Sequence, residues 1–223
     1  IILEGVTIYN DDGPCIYVES AKNTYIELVG ESSLTSGSEY SGDFTDMDGC
    51  VYSSDDLIFM GDGTLNVTSK YLDGIVSKDD LVFKGGTYNI ISNDDGIRGK
   101  DSVYIVDGTI TIKAGGDGIK STNDTDSDKG NVVIDGGNIN ITSSQDGIQA
   151  EKNLIINNGV YKINSGDTSK SSTTSRYTTT TDDESHKGMK TGSNLVVNNG
   201  TITIIVLLKV RCLWRLTPLP FTV

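Results

Sequence analysis

Short apolar stretches that alternate strictly with polar positions run through most of this chain, and they recur. An Asp-Gly pair followed by an apolar residue appears at Asp48-Gly49-Cys50, Asp73-Gly74-Ile75, Asp95-Gly96-Ile97, Asp117-Gly118-Ile119 and Asp146-Gly147-Ile148. Relatives stand at Asp12-Gly13 and Lys187-Gly188-Met189. Successive spacings from Asp48 are 25, 22, 22, 29 and 41 residues, so the unit is 22 residues and the last two intervals carry insertions of 7 and 19.

Each unit holds two further segments. One reads Leu81-Val82-Phe83, Val103-Tyr104-Ile105, Val132-Val133-Ile134 and so on. The other reads Thr87-Tyr88-Asn89-Ile90, Thr109-Ile110-Thr111-Ile112, Asn138-Ile139-Asn140-Ile141. The joints are Gly-rich, as in Lys84-Gly85-Gly86 and Asp135-Gly136-Gly137. Runs of β-branched and aromatic residues with period 2, bounded by Gly, Asn and Asp, read as strands. Three strands in 22 residues leave no room for a crossover helix, so like strand must stack on like strand. The pattern predicts an all-β fold, a parallel β-helix with three sheets, over residues 1–204.

The alternation also assigns faces. Leu65, Tyr88, Ile110, Ile139, Tyr161 and Ile202 form one inward column; Val67, Ile90, Ile112, Ile141, Ile163 and Ile204 form another. Asn66, Asn89, Thr111, Asn140 and Thr203 point outward. Cys50 is expected to be a small core residue in the slot that Ile75, Ile97 and Ile119 occupy elsewhere. The segment 205–223 does not belong to this pattern. It has no Gly, Asn, Asp or Glu, and it carries the single Trp214 and two of the three prolines, Pro218 and Pro220. The expectation is a frameshifted or artefactual end, or a hydrophobic cap. The start, Ile1-Ile2-Leu3-Glu4, reads as a fragment end, with any secretion signal lying outside these residues.

Composition narrows the function. The chain has 223 residues, 35% of them hydrophobic, with no apolar run long enough to span a membrane as a helix. The net charge of −13 argues against broad binding to nucleic acid or anionic membranes. Three cysteines are too few for a disulfide scaffold and too irregular for zinc, and one histidine excludes a His-rich metal site.

Against this acidic background, basic residues gather on one face. The outward position after each Asp-Gly-apolar triplet is Val76, Arg98, Lys120, Gln149 and Lys190, and Lys78 and Lys100 stand nearby. Neighbours are one rung apart, about 5 Å, close to the length of one sugar residue in a polysaccharide. A cation column at that pitch suits a chain of uronic acids; it is equally the ordinary charged exterior of a solenoid. The two insertions, around 122–130 and 164–186, would wall a groove along the same sheet.

Acidic residues form the second constellation. Asp73, Asp95, Asp117 and Asp146 should stack at one corner, with Asp94 beside them. Like charges so placed repel unless neutralised. Ca2+ is one neutraliser, with Asp73, Asp94, Asp95 and Asp117 as ligands; hydrogen bonds from turn N–H groups are the alternative. A second calcium candidate is Asn123-Asp124-Thr125-Asp126-Ser127-Asp128, where oxygen ligands alternate. If the face were catalytic, Lys120 or Arg98 would serve as the base that removes the acidic C5 proton of a uronide beside calcium.

The Asp-Gly-Ile rungs, the Gly-Gly-Thr joints and the run Gly116-Asp117-Gly118-Ile119-Lys120-Ser121 resemble the carbohydrate-binding β-helix family of cellulolytic clostridia, over about residues 40–204. That resemblance implies a right-handed β-helix, Ca2+ sites, an extracellular or cell-surface location, and binding of cellulose-like and pectin-like polysaccharide rather than cleavage. The pattern is also similar to family-9 pectate lyases, whose calcium motifs resemble Asp73-Gly74-Ile75 and Asp94-Asp95-Gly96 and whose lysine-base motif resembles Gly118-Ile119-Lys120. Arg98 stands where those enzymes carry a further calcium-ligating Asp, which favours binding over lysis. Three readings follow: a non-catalytic polysaccharide-binding module, a pectate-type lyase, and a structural stalk.

Overall fold

In the computed structural model, residues 1–166 and 186–206 are described. They form a right-handed parallel β-helix of three sheets, with a single 3-10 turn at Gly42–Phe44 among the described residues. One sheet of eight strands runs from Ile2–Glu4 to Leu195–Val197, a second of eight from Thr7–Asn10 to Thr201–Val206, and a third of seven from Ile16–Val18 to Met189–Thr191. The third is called here the Asp-Gly sheet. Every pairing is parallel and each coil visits the three sheets in turn.

The register is that of the 22-residue unit. Thr87 pairs with Thr109, Leu81 with Val103 and Ile97 with Ile119. The insertions do not disturb it, because Thr109 still pairs with Asn138 and Val160 with Thr201. Extra residues leave at corners, and inter-coil bonds resume on either side of the first insertion, Asn123 N–H donating to the Lys100 carbonyl at 2.8 Å and Gly130 N–H to the Asp101 carbonyl at 2.6 Å. The first insertion leaves the Asp-Gly sheet after Ile119–Ser121. Most of the second, residues 167–185, lies outside the described residues, as do 207–223 with Cys212, Trp214 and both tail prolines. The last strand extends through Val206, two residues beyond the boundary expected at Ile204.

The core is the predicted set of columns. Leu65, Tyr88, Ile110, Ile139 and Tyr161 are buried, as are Val67, Ile90, Ile112, Ile141 and Ile163. Each such side chain contributes about 1.5–3 kcal/mol of apolar burial. Phe59 and Phe83 stack with centroids 5.3 Å apart, and Tyr88 meets both edge-on. Its hydroxyl, otherwise stranded in the core, donates to the Gly85 carbonyl at 2.8 Å. The outward asparagines bond along the rod, Asn89 donating to Asn66 at 2.9 Å.

Two placements differ from expectation. Ile204 is 42% exposed, because its coil is the last one described and nothing described lies above it. Cys50 is fully buried, but it does not hold the isoleucine slot. Val51 pairs with Ile75, and Gly49 with Asp73. The interval from Asp48 to Asp73 is 25 residues, but the strand Gly49–Ser53 pairs at a constant offset of 24, Gly49 with Asp73 and Val51 with Ile75, so the motif sits one place out of register.

Candidate functional site

On the side away from the main core the Asp-Gly sheet carries one ladder, Tyr17, Tyr52, Val76, Arg98, Lys120, Gln149 and Lys190, each paired in register with the next; Tyr52 and Val76 are buried there in a second apolar cluster with Tyr40, Met47, Phe44 and Tyr71. The basic column predicted from sequence is therefore real. So is the acidic one, and the two are interlocked.

Each aspartate divides its carboxylate. Oδ1 accepts the backbone N–H of the next coil: Asp73 from Asp95 at 2.9 Å, Asp95 from Asp117 at 2.8 Å, Asp117 from Asp146 at 2.8 Å, and Asp146 from Lys187 at 2.6 Å. Oδ2 takes a cation. The Arg98 guanidinium meets Asp73 Oδ2 at 2.7 Å and also pairs with Asp48. The Lys120 ammonium bridges Asp117 at 2.9 Å and Asp95 at 3.2 Å. Lys190 reaches Asp146 at 3.4 Å and Gln149 at 3.4 Å. Lys78 lies 3.3 Å from Asp48 and 5.3 Å above the Tyr52 ring. Lys100 is exposed and acts on Asp101 only through space.

This arrangement sets the electrostatics. Burial pushes the Asp73 carboxyl up, to about 7, against the opposing pull of Arg98. Asp95 and Asp117 are also raised, burial again coming first. Burial alone would lower Lys120, but Asp95 and Asp117 more than reverse it and hold the ammonium well above its ordinary value. Asp73 and Asp48 do the same for Arg98. A general base must be neutral to accept a proton, so this environment works against Lys120 or Arg98 in that role.

The residues do not fit calcium either. Asp73, Asp95 and Asp117 spend their oxygens on N–H groups and cations, and Asp94 does not join them in a ligand set. The second candidate is a self-capped loop. Asn123 Oδ1 accepts from the N–H groups of Thr125 at 3.1 Å and Asp126 at 2.9 Å, and Asp126 Oδ1 accepts from Asp128 N–H at 3.0 Å. Asn123 Nδ2 donates instead to Asp101, while Asp124 and Asp128 are exposed. Among the described residues no three His, Cys, Asp or Glu side chains are gathered to hold a metal. In the Asp column the neutralising partners are the side chains of Arg98, Lys120 and Lys190.

The face also carries aromatics that the sequence reading passed over. Tyr17 is 38% exposed, with its ring 5.9 Å from Tyr52 and 6.2 Å, edge-on, from Phe44. Phe44 arrives on the 3-10 turn and lies over Gly13, where a Cβ would stand 2.5 Å from its ring. The signal was available, because Tyr17 and Tyr52 occupy the outward position of the same ladder as Arg98. It was hidden by the one-residue shift at Cys50. Among the described residues no helix is long and apolar enough to cross a membrane.

Comparison with known proteins fits this geometry. A family described as carbohydrate-binding domain-containing protein matches residues 1–207. A curated relative with the same description, from Acetivibrio thermocellus, is 36% identical over 96 residues, which is 40% of this chain and 33% of the relative. That match thus spans about a third of the relative's length. A solved structure of the polysaccharide lyase-like protein from C. thermocellum, in a gadolinium derivative, superposes with a TM-score of 0.78 at 31% identity, covering 90% of this chain and 76% of the other.

Proposed function

The chain belongs to the family of carbohydrate-binding domain-containing proteins, and from that premise we propose that it is a non-catalytic module, outside the cell or on its surface, that holds a polysaccharide along the Asp-Gly face. The observation that carries this reading is the pairing of Arg98, Lys120 and Lys190 with Asp73, Asp95, Asp117 and Asp146 at rung pitch. A matched column has little net positive charge to offer a uronate carboxylate. What it does offer to sugar hydroxyls are the remaining N–H donors of half-buried Arg98, Lys120 and Lys190 and the half-buried Gln149 amide, which both donates and accepts. Tyr17 adds an exposed ring at one end for the apolar face of a sugar. Neutral, cellulose-like chains therefore suit this face better than pectin-like ones, which the overall charge of −13 also repels at long range. No calcium enters this reading.

The lyase reading is tested directly against it. Incubated with polygalacturonate and, separately, with a soluble β-glucan, the protein should be retained by the glucan and release no unsaturated, ultraviolet-absorbing product from either polymer. Product that disappears in Lys120→Gln would establish cleavage and end the binding-only reading.

A further inference from the structure

We infer that Cys15 and Cys50 are a disulfide-forming pair that ties the first coil of the Asp-Gly sheet to the second. The strands Ile16–Val18 and Gly49–Ser53 pair with Ile16 opposite Val51, which sets Cys15 opposite Cys50. The backbone agrees, since Cys15 N–H donates to the Cys50 carbonyl at 2.7 Å. Neighbours in a parallel ladder stand about 5 Å apart at Cα, inside the range a disulfide spans. Both side chains lie in the main apolar cluster, Cys50 fully buried and Cys15 partly so. The Cys15 thiol donates to the Ile8 carbonyl at 3.7 Å, and the proximity of the two thiols is the main reason Cys15 is held below its usual value while Cys50 is pushed up. Both are free thiols in this structure.

The asymmetry gives an order of events. Cys15 reaches solvent and is the thiolate former. With a small disulfide oxidant such as glutathione disulfide, the Cys15 thiolate attacks one sulfur and one glutathione thiolate leaves. The Cys50 sulfur then attacks Cys15 in the mixed disulfide, and its proton passes to the second glutathione thiolate as that thiolate is expelled. Two protein thiols are oxidised and one small disulfide is reduced to two thiols. The loop so closed contains Tyr17, Tyr40 and Phe44, so the bond would also fix the turn that supports the exposed Tyr17 ring.

The test is a peptide map of the full chain after equilibration with glutathione disulfide, unfolded in an alkylating agent. A Cys15–Cys50 linked peptide, with Cys212 alkylated, is the expected result. Dithiothreitol should then lower the melting temperature of the oxidised wild type by roughly 5–10 °C and leave a Cys15→Ala/Cys50→Ala variant unmoved. Alkylated Cys15 and Cys50, or linkage of either through Cys212, would overturn the inference. Should the double variant fail to fold, the wild-type map decides alone.

Discussion

Asp73 shows how one side chain serves two structural ends. Its Oδ1 closes the backbone of the next coil and its Oδ2 holds Arg98, so losing either partner leaves a buried carboxylate half satisfied. Arg98→Met should therefore cost about 3 kcal/mol in urea unfolding at neutral pH. The loss should shrink in mild acid as Asp73 protonates; an equal loss at both pH values would contradict this. The wild type has its own pH signature. Burial raises the folded Asp73 to about 7, with Asp95 and Asp117 raised as well, above the ordinary carboxylate value of the unfolded chain. The fold binds these protons more tightly than the unfolded chain does, so their contribution is present at low pH and lost as pH rises through about 7. Thermal melts should give a midpoint at about pH 5 no lower than at about pH 8; a steady fall on acidification across that window would count against it. Each of these residues was legible in the sequence, but their mutual contact was not. Column membership follows from period 2, whereas the reach of Lys120 to both Asp95 and Asp117 depends on side-chain length across a corner.

At the scale of the element, the Asp-Gly turn explains its glycine. A Cβ on Gly118 would stand 2.4 Å from Ile141 Cγ2 and 2.5 Å from the Gly147 carbonyl oxygen, so the coils could not stack at that corner. Gly96 and Gly147 meet the same kind of obstacle. By contrast a Cβ on Gly85 meets only the Gly61 carbonyl oxygen, at 3.3 Å. Gly118→Ala should thus destabilise by about 3 kcal/mol or more, while Gly85→Ala stays within about 1 kcal/mol; similar denaturation midpoints for the two would show that the corner is looser than described. Strand type, order and register were legible because a 22-residue period with alternating faces admits few solutions, and the insertions fall at corners that tolerate them. The shift at Cys50 and Val51 was not legible. The Asp-Gly motif keeps its place across the intervals of 29 and 41 residues but sits one place out at Asp48, where the register offset is 24 and the motif spacing 25, and the aromatic end of the ladder was lost with it.

At the scale of the whole molecule the net charge is −13, and among the described residues the basic column of Arg98, Lys120 and Lys190 is paired with the Asp column, which separates a neutral-glycan reading from the uronate reading that the spacing suggests. Because Arg98, Lys120 and Lys190 already neutralise the Asp column, stability should not depend on calcium, and melting with and without a chelator should coincide. A midpoint that falls on chelation would show a ligand set that the ion pairs do not account for. The polysaccharide reading was legible in the repeat texture; the preference among glycans was not, since sequence places charges on a face without showing which are already paired. The central claim is that a neutral glycan lies on the Asp-Gly face through hydroxyl hydrogen bonds and the Tyr17 ring. Calorimetric titration with a soluble β-glucan, at low and high salt, tests it most directly when run on the wild type, on Tyr17→Ala and on Thr111→Ala, which lies on another sheet. The account predicts binding that survives salt, weakens about tenfold in Tyr17→Ala and is unchanged in Thr111→Ala. Binding confined to polygalacturonate and abolished by salt, or a glucan affinity that Tyr17→Ala leaves intact, would contradict it.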